Sequence, residues 1–233
     1  MILPAFSCHG VRTCYPVLMS DSLQVNEIFF SIQGEGDRSG WPCIFIRLSF
    51  CNLRCAWCDS EYTFYEGKEM SIDQILDSIS GFPCKLVELT GGEPLLQEGA
   101  NPLMRRLCEE GYEVMLETSG SLDISGVDSR VRRIMDLKCP GSGMMSRNRM
   151  ENLKLLTAGD ELKFVLKDRL DYEWAKELVL REKLNDICPV LFSPVWDAID
   201  VAELVEWILD DGLPVRLQLQ IHKFIWDPKA RGV

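Results

Sequence analysis

Cysteine carries the first chemical signal. The run Phe50-Cys51-Asn52-Leu53-Arg54-Cys55-Ala56-Trp57-Cys58-Asp59 sets the thiols of Cys51, Cys55 and Cys58 within eight residues. Thiolates are soft ligands that select zinc or iron–sulfur clusters. A zinc ribbon needs a fourth ligand, usually from a second paired knuckle. The 233 residues hold no second C-x-x-C, and the two histidines, His9 and His222, are remote in sequence. Three thiolates on a [4Fe–4S] cluster leave one iron open to a ligand that is not protein, unlike the four-cysteine clusters of ferredoxins. Zinc completed by a distant Cys or His, or simple packing, stays open as an alternative, but the compact spacing favours the cluster. The other seven cysteines (Cys8, Cys14, Cys43, Cys84, Cys108, Cys139 and Cys188) show no such spacing and read as core residues.

Such a loop has to be held by regular elements. Short apolar runs predict strands over 43–48, 86–89, 114–116, 134–137, 162–166, 190–192 and 215–221. Between them, Ser71 reads as an N-cap before the apolar face of Ile72, Ile75, Leu76 and Ile79, and Pro102 suits a first helical turn. Segments 171–182 and 200–209 read as two more helices. Alternating strand and helix implies a largely parallel sheet, and six or seven strands are too few for a closed eight-stranded barrel. The expected fold class is therefore α/β, an open partial (β/α) barrel. In such folds chemistry collects at the C-terminal strand ends. The polar words Thr90-Gly91-Gly92-Glu93-Pro94, Glu117-Thr118-Ser119-Gly120, Asp136-Leu137-Lys138 and Ser193-Pro194 all fall there, after the strand that feeds the cysteine loop.

Composition narrows the setting. A net charge of −11 and a pI near 4.8 exclude a nucleic-acid or anionic-membrane surface and leave room only for a local basic pocket. The N-terminal residues show no basic n-region with a long apolar h-region, and no run approaches the ~20 apolar residues of a membrane span. Ten cysteines in such a chain read as reduced thiols in a cytoplasmic protein. Residues 1–22 lack periodicity and read as a poorly ordered extension. Residues 23–233 read as one core domain with a C-terminal tail.

C-x-x-x-C-x-x-C with an aromatic, Trp57, before its last cysteine resembles the signature of the radical S-adenosylmethionine (SAM) superfamily. The resemblance implies that SAM chelates the open iron and that one electron cleaves it to methionine and a 5′-deoxyadenosyl radical. Thr90-Gly91-Gly92-Glu93-Pro94 looks like the same family's GGEP motif, which binds the methionine amino group. It further implies SAM contacts at Trp57, Cys58, Asp59, Gly92, Glu117, Asp136, Lys138, Ser193 and Pro194.

A narrower resemblance, over about residues 25–233, is to the 7-carboxy-7-deazaguanine synthase family. It rests on Ile32-Gln33-Gly34-Glu35-Gly36, Arg47, Cys58-Asp59-Ser60 and the tail Asp227-Pro228-Lys229-Ala230-Arg231-Gly232-Val233. The implied substrate is 6-carboxy-5,6,7,8-tetrahydropterin, contracted to a deazaguanine with loss of ammonia in the queuosine and deazapurine pathway. The resemblance implies substrate contacts at Ile32, Gln33, Gly34, Arg47, Thr90 and Val233, whose α-carboxylate would meet the pterin. Arg47 offers a guanidinium fork to the pterin carboxylate, and the glycines of the first word would allow close main-chain approach. It also implies Mg²⁺ at Ser60, where relatives often carry threonine, an electron donor such as flavodoxin, and a homodimer. Two rivals share part of the pattern. A glycyl-radical activase would keep the cysteine loop and GGEP but lack the Gln33–Gly36 word, Arg47 and the tail. A plain iron–sulfur electron carrier would need a fourth cysteine.

Overall fold

The computed structural model describes residues 22–233. Nine strands form one sheet in the order β3-β1-β2-β4-β5-β6-β7-β8-β9. They are β1 (Ser22–Ile32), β2 (Pro42–Leu48), β3 (Lys68–Ser71), β4 (Leu86–Gly91), β5 (Glu113–Thr118), β6 (Arg132–Asp136), β7 (Glu161–Leu166), β8 (Val190–Pro194) and β9 (Arg216–Leu217). From β2 through β9, setting β3 aside, neighbouring strands run parallel; β1 and β3 add an antiparallel edge. The helices are α1 (Ile72–Ile79), α2 (Ala100–Glu109), α3 (Arg169–Glu182), α4 (Val201–Asp210) and the short α5 (His222–Ile225). The outer strands β3 and β9 do not pair with each other, so the barrel is open, as expected.

The period of two along each strand divides the sheet into two chemistries. Ile44, Ile46 and Leu48 of β2, Val87 and Leu89 of β4, and Val114 and Leu116 of β5 pack with Ile72, Ile75, Leu103 and Leu107 of the first two helices. Leu162, Phe164 and Leu166 of β7 with Val190 and Phe192 of β8 do the same against Tyr172, Ala175 and Leu178 of α3. Each such fully buried side chain contributes about 1.5–3 kcal/mol. The alternate residues face the concave side. Phe45, Met115 and Ile134 close its floor with Phe29, and nearer the C-terminal strand ends come Arg47, Glu88, Thr90, Glu117, Asp136 and Lys163. Charge is tolerated there because the partial barrel encloses a lumen.

Four expectations change. Ser22 belongs to β1 and pairs with Ser71, so it is no part of an extension; residues 1–21, with Cys8, His9 and Cys14, lie outside the described residues. The strand expected over 215–221 stops at Leu217, because Gln218 turns its side chain to accept from the Gly36 amide (3.0 Å). Helix α3 starts at Arg169, capped by Asp168, which accepts from Leu170 and Asp171 amides; Asp171 is instead fully buried and accepts from the Gly141 (2.7 Å) and Lys167 (3.0 Å) amides. Cys43, Cys139 and Cys188 are core residues, but Cys84 and Cys108 are only half-buried.

Candidate active site

The cysteine loop leaves β2 through Phe50, whose φ of 73° turns the chain sharply. The Phe50 amide donates to the Thr63 carbonyl and its own carbonyl accepts from the Glu93 amide, both at 2.8 Å. The loop therefore lies directly against the Gly91–Glu93 turn. A Cβ at Gly92 would meet the Phe50 carbonyl and stand 2.7 Å from the Cys51 Cβ, so only glycine fits this approach. Glu93, with no exposed surface, accepts from the Thr118 hydroxyl (2.9 Å), the Ser119 amide (2.8 Å) and hydroxyl (2.5 Å), and the Leu95 amide (3.1 Å). Ser119 continues to Ser121 at 2.9 Å, and Asn52 Nδ2 donates to Ser121 Oγ at 3.0 Å. Glu93 thus ties the ends of β4 and β5 to the cysteine loop. That role was not read from the sequence, where only the glycine of this turn was singled out.

Cys51, Cys55 and Cys58 are free and half-buried. Burial pushes the Cys51 and Cys55 thiols up, and the nearby Lys138 ammonium pulls both the other way. The Leu53 amide donates to Cys51 Sγ at 3.4 Å, and Ser60 Oγ lies 3.8 Å from Cys58 Sγ. Lys138 Nζ donates to Asp136 Oδ2 at 2.7 Å, while Asp136 Oδ1 is buried with no partner among the described residues. Among the described residues no three His, Cys, Asp or Glu side chains gather as a single metal ion requires. A cluster does not require that, since it takes one thiolate per iron. Three soft donors, a cation beside them and an orphaned acceptor facing them fit an iron–sulfur cluster with an amine- or hydroxyl-bearing ligand.

Arg47 stands at the end of β2 opposite Thr90 of β4. Its Nε donates to Glu27 Oε1 at 2.7 Å, a carboxylate that also accepts from the Tyr62 hydroxyl at 3.0 Å. The two terminal nitrogens make no hydrogen bond among the described residues. The tail returns to this place: Arg231 stacks 3.7 Å over the Tyr62 ring and pairs with Glu66 at 2.9 Å, and a Cβ at Gly232 (φ 70°) would stand 3.9 Å from Glu27 Oε2. Val233 beside it is half-buried. The Asp59 side chain points away to Lys223 of α5, 2.9 Å distant.

Two residues expected to contact substrate have partners within the chain. Gln33 spends its main chain on the turn, its amide donating to the Trp41 carbonyl and its carbonyl accepting from the Gly40 amide, each at 2.8 Å; its side chain donates to Glu88 and accepts from the Glu35 amide. It positions the lumen and offers no free main-chain edge. At Gly34 the space that a side chain would fill holds the His222 ring, so glycine is required by the imidazole.

The charged layer beneath was hardly visible in the sequence. Lys163 Nζ sits between Glu35 Oε2 (2.8 Å) and Glu117 Oε1. Burial pushes Glu117 up to about 8 and Glu88 to about 7; Glu35 is lowered, because Lys163 and the Gln220 amide outweigh its burial. Glu117, expected to contact SAM, pairs with Lys163. Ser193 is buried on the lumen side of β8, with Pro194 ending that strand, and Trp57 and Ile32 are half-buried.

Comparison with known proteins agrees with this geometry. Residues 45–187 match the radical SAM superfamily model. The 7-carboxy-7-deazaguanine synthase of Koribacter versatilis is 49% identical over 226 residues, covering 91% of this chain and all of the relative. That of Chlorobaculum tepidum is 44% identical, covering 91% of this chain and 97% of its own length. Among solved structures, QueE from Escherichia coli superposes with a TM-score of 0.70 at 25% identity, covering 85% of this chain and 94% of that one.

Proposed function

This chain belongs to the 7-carboxy-7-deazaguanine synthase family of radical SAM enzymes, and from that premise we propose how its residues share the work. The reaction is the radical-mediated ring contraction of 6-carboxy-5,6,7,8-tetrahydropterin with loss of ammonia. The cluster on Cys51, Cys55 and Cys58, when bound, supplies the electron that cleaves SAM.

The chain's own groups bind and orient. The open Asp136 oxygen accepts a hydrogen bond from SAM, with Lys138 fixing the carboxylate. Gly92, Trp57, Cys58 and Asp59 flank the same ligand through the cysteine loop and its neighbour, and Ser193 and Pro194 close the far wall. Arg47 takes the pterin carboxylate on its two terminal nitrogens, and Thr90 opposite adds a hydroxyl. Ile32, Gly34 and Val233 line the edge where the tail returns. Ser60 is the one protein oxygen offered to Mg²⁺, which keeps several waters and takes substrate oxygens for the rest. A one-electron donor such as flavodoxin and a homodimeric assembly complete the reading.

The observation that carries it is the tether of Arg47. Glu27 holds Nε and leaves a planar pair of donors aimed beside the cluster loop, the arrangement that recognises a carboxylate. Anaerobic turnover of reconstituted enzyme with 6-carboxytetrahydropterin, SAM, dithionite and Mg²⁺ tests it. Product formation that falls sharply in Arg47→Lys supports the assignment. A cluster whose EPR signal responds to SAM without any pterin turnover would move the substrate to another class, such as a protein glycyl loop.

A further inference from the structure

The lumen continues past the charged layer to a small cavity of about 10 Å³, bordered by Asp37, Glu117, Glu161 and Lys163. That volume holds one occupant of water's size. Glu161 is 1% exposed, and neither of its carboxylate oxygens has a hydrogen-bond partner among the described residues. Its nearest cation, Arg216, stands 3.8 Å away, beyond hydrogen-bond range. Asp37 gives one oxygen to Arg132, and its other, Oδ1, is buried and unpartnered too. The backbone closes the wall, since a Cβ at Gly36 would stand 2.5 Å from Glu161 Oε2.

An unpaired buried acceptor costs about 1–3 kcal/mol, and more when it is charged. Here three orphaned carboxylate oxygens belong to two residues that border one cavity. Five carboxylates border it (Glu35, Asp37, Glu88, Glu117 and Glu161) against the single ammonium of Lys163. The three unpartnered oxygens call for an occupant that offers at least three hydrogen-bond donors, one more than water has, and is no larger than water. A divalent metal does not suit it, because no three ligating side chains gather there. Guanidinium and alkylammonium groups are too large. We infer that Glu161 and Asp37 form a single-ion site for ammonium, whose four N–H donors and size meet both demands. The link to function rests on the reaction proposed above, which releases ammonia into this same lumen.

Binding can be tested without turnover, so its failure and that of the reaction are separable. Reconstituted full-length enzyme at neutral pH is titrated with ¹⁵N-ammonium chloride, with tetramethylammonium and potassium chloride at matched ionic strength as controls. A slowly exchanging bound-ammonium signal and a rise of a few degrees in melting midpoint, specific to ammonium, are expected. Glu161→Gln keeps the shape and removes the charge. It should lose both responses while melting no lower than wild type in tetramethylammonium chloride. No bound signal in wild type, an equal response to potassium, or a response that survives in Glu161→Gln would each overturn the site.

Discussion

Glu93 and Lys163 are both buried ionisable side chains, and the molecule satisfies them in opposite ways. Glu93 is wrapped by neutral amides and hydroxyls from its own turn and the end of β5. Lys163 is held by two carboxyl groups that accept hydrogen bonds from its ammonium, those of Glu35 and Glu117, 128 and 46 residues away in sequence. Around Glu93, donors shaped by local backbone fix the Gly91–Glu93 turn and the cysteine loop beside it. Around Lys163, pairing brings distant strands together, and each charge is safe only while its partners stay. The first region can change ligands without disturbing the fold; the second can scarcely lose one group.

The largest effect should come from the loops and touch only chemistry. Cys51→Ala, Cys55→Ala or Cys58→Ala should each abolish cluster binding and turnover, since each corner needs a thiolate. Circular dichroism and melting should stay near wild type, because these thiols are half-buried and outside the core clusters. Full iron content in any one variant would break the assignment.

Lys163→Met turns the comparison into numbers. It strands the Glu35 carboxylate in the lumen, and breaking a buried pair from one side costs about 3–5 kcal/mol. Adding Glu35→Gln should recover part of that loss. Glu93→Gln removes charge but keeps an acceptor, so it should cost less, about 1.5–3 kcal/mol. Urea unfolding of the three variants decides the order. Equal losses for Lys163→Met and Glu93→Gln would erase the distinction between the two regions.

That distinction also explains what the sequence made legible. Strands β2 and β4–β8 are apolar runs because helices cover one face, and their expected bounds fell within a few residues. β1 hid behind polar lumen residues such as Glu27 and Ser31, and β3, Lys68–Ser71, is too short and polar to signal. The cysteine loop and the Gly92 turn were readable because their residues are neighbours in the chain. Lys163 passed as one charge inside Glu161–Leu166, since nothing local announces partners so far away. Glu35 was noticed only as part of a glycine-rich word, and His222 gave no sign that it fills the space over Gly34.

The charged layer should also show itself through pH. Glu117 and Glu88 bind protons more tightly folded than unfolded, up to about 8 and about 7. Between the ordinary carboxylate range and those values the folded state holds more protons, so stability falls as pH rises. Glu35, lowered by Lys163, acts oppositely: its contribution is present above its unfolded value and is lost as pH falls through the folded one. Each proton changes the slope by at most about 1.4 kcal/mol per pH unit. Glu117→Gln should flatten the decline between pH 5 and 8, read by urea unfolding at fixed ionic strength and buffer steps of about one unit. An unchanged slope would mean that Glu117 stays ionised throughout.

The smallest effect on stability should come from the tail, where a local surface contact meets the Arg47 side of the lumen. Arg231 pairs with Glu66 and stacks on Tyr62, and both members of the pair are about half-exposed, at 51% and 57%. A surface ion pair contributes about 0–1 kcal/mol, and an exposed cation–π contact about 0.5–1. Arg231→Ala should therefore lower unfolding free energy by about 1 kcal/mol or less, and less still at high salt, where the pair is screened. Its effect on substrate should be larger than that on stability. Arg231 steadies the Tyr62 ring, Tyr62 donates to Glu27, and Glu27 holds the Nε of Arg47. Loosening the first contact frees the last one to rotate, so KM for the pterin should rise several-fold while the affinity for SAM holds. Arg231→Lys keeps the charge near Glu66 but gives up the planar stack, and it should fall between wild type and alanine. A KM unchanged in both variants would cut the chain at Tyr62 and leave Arg47 oriented by Glu27 alone.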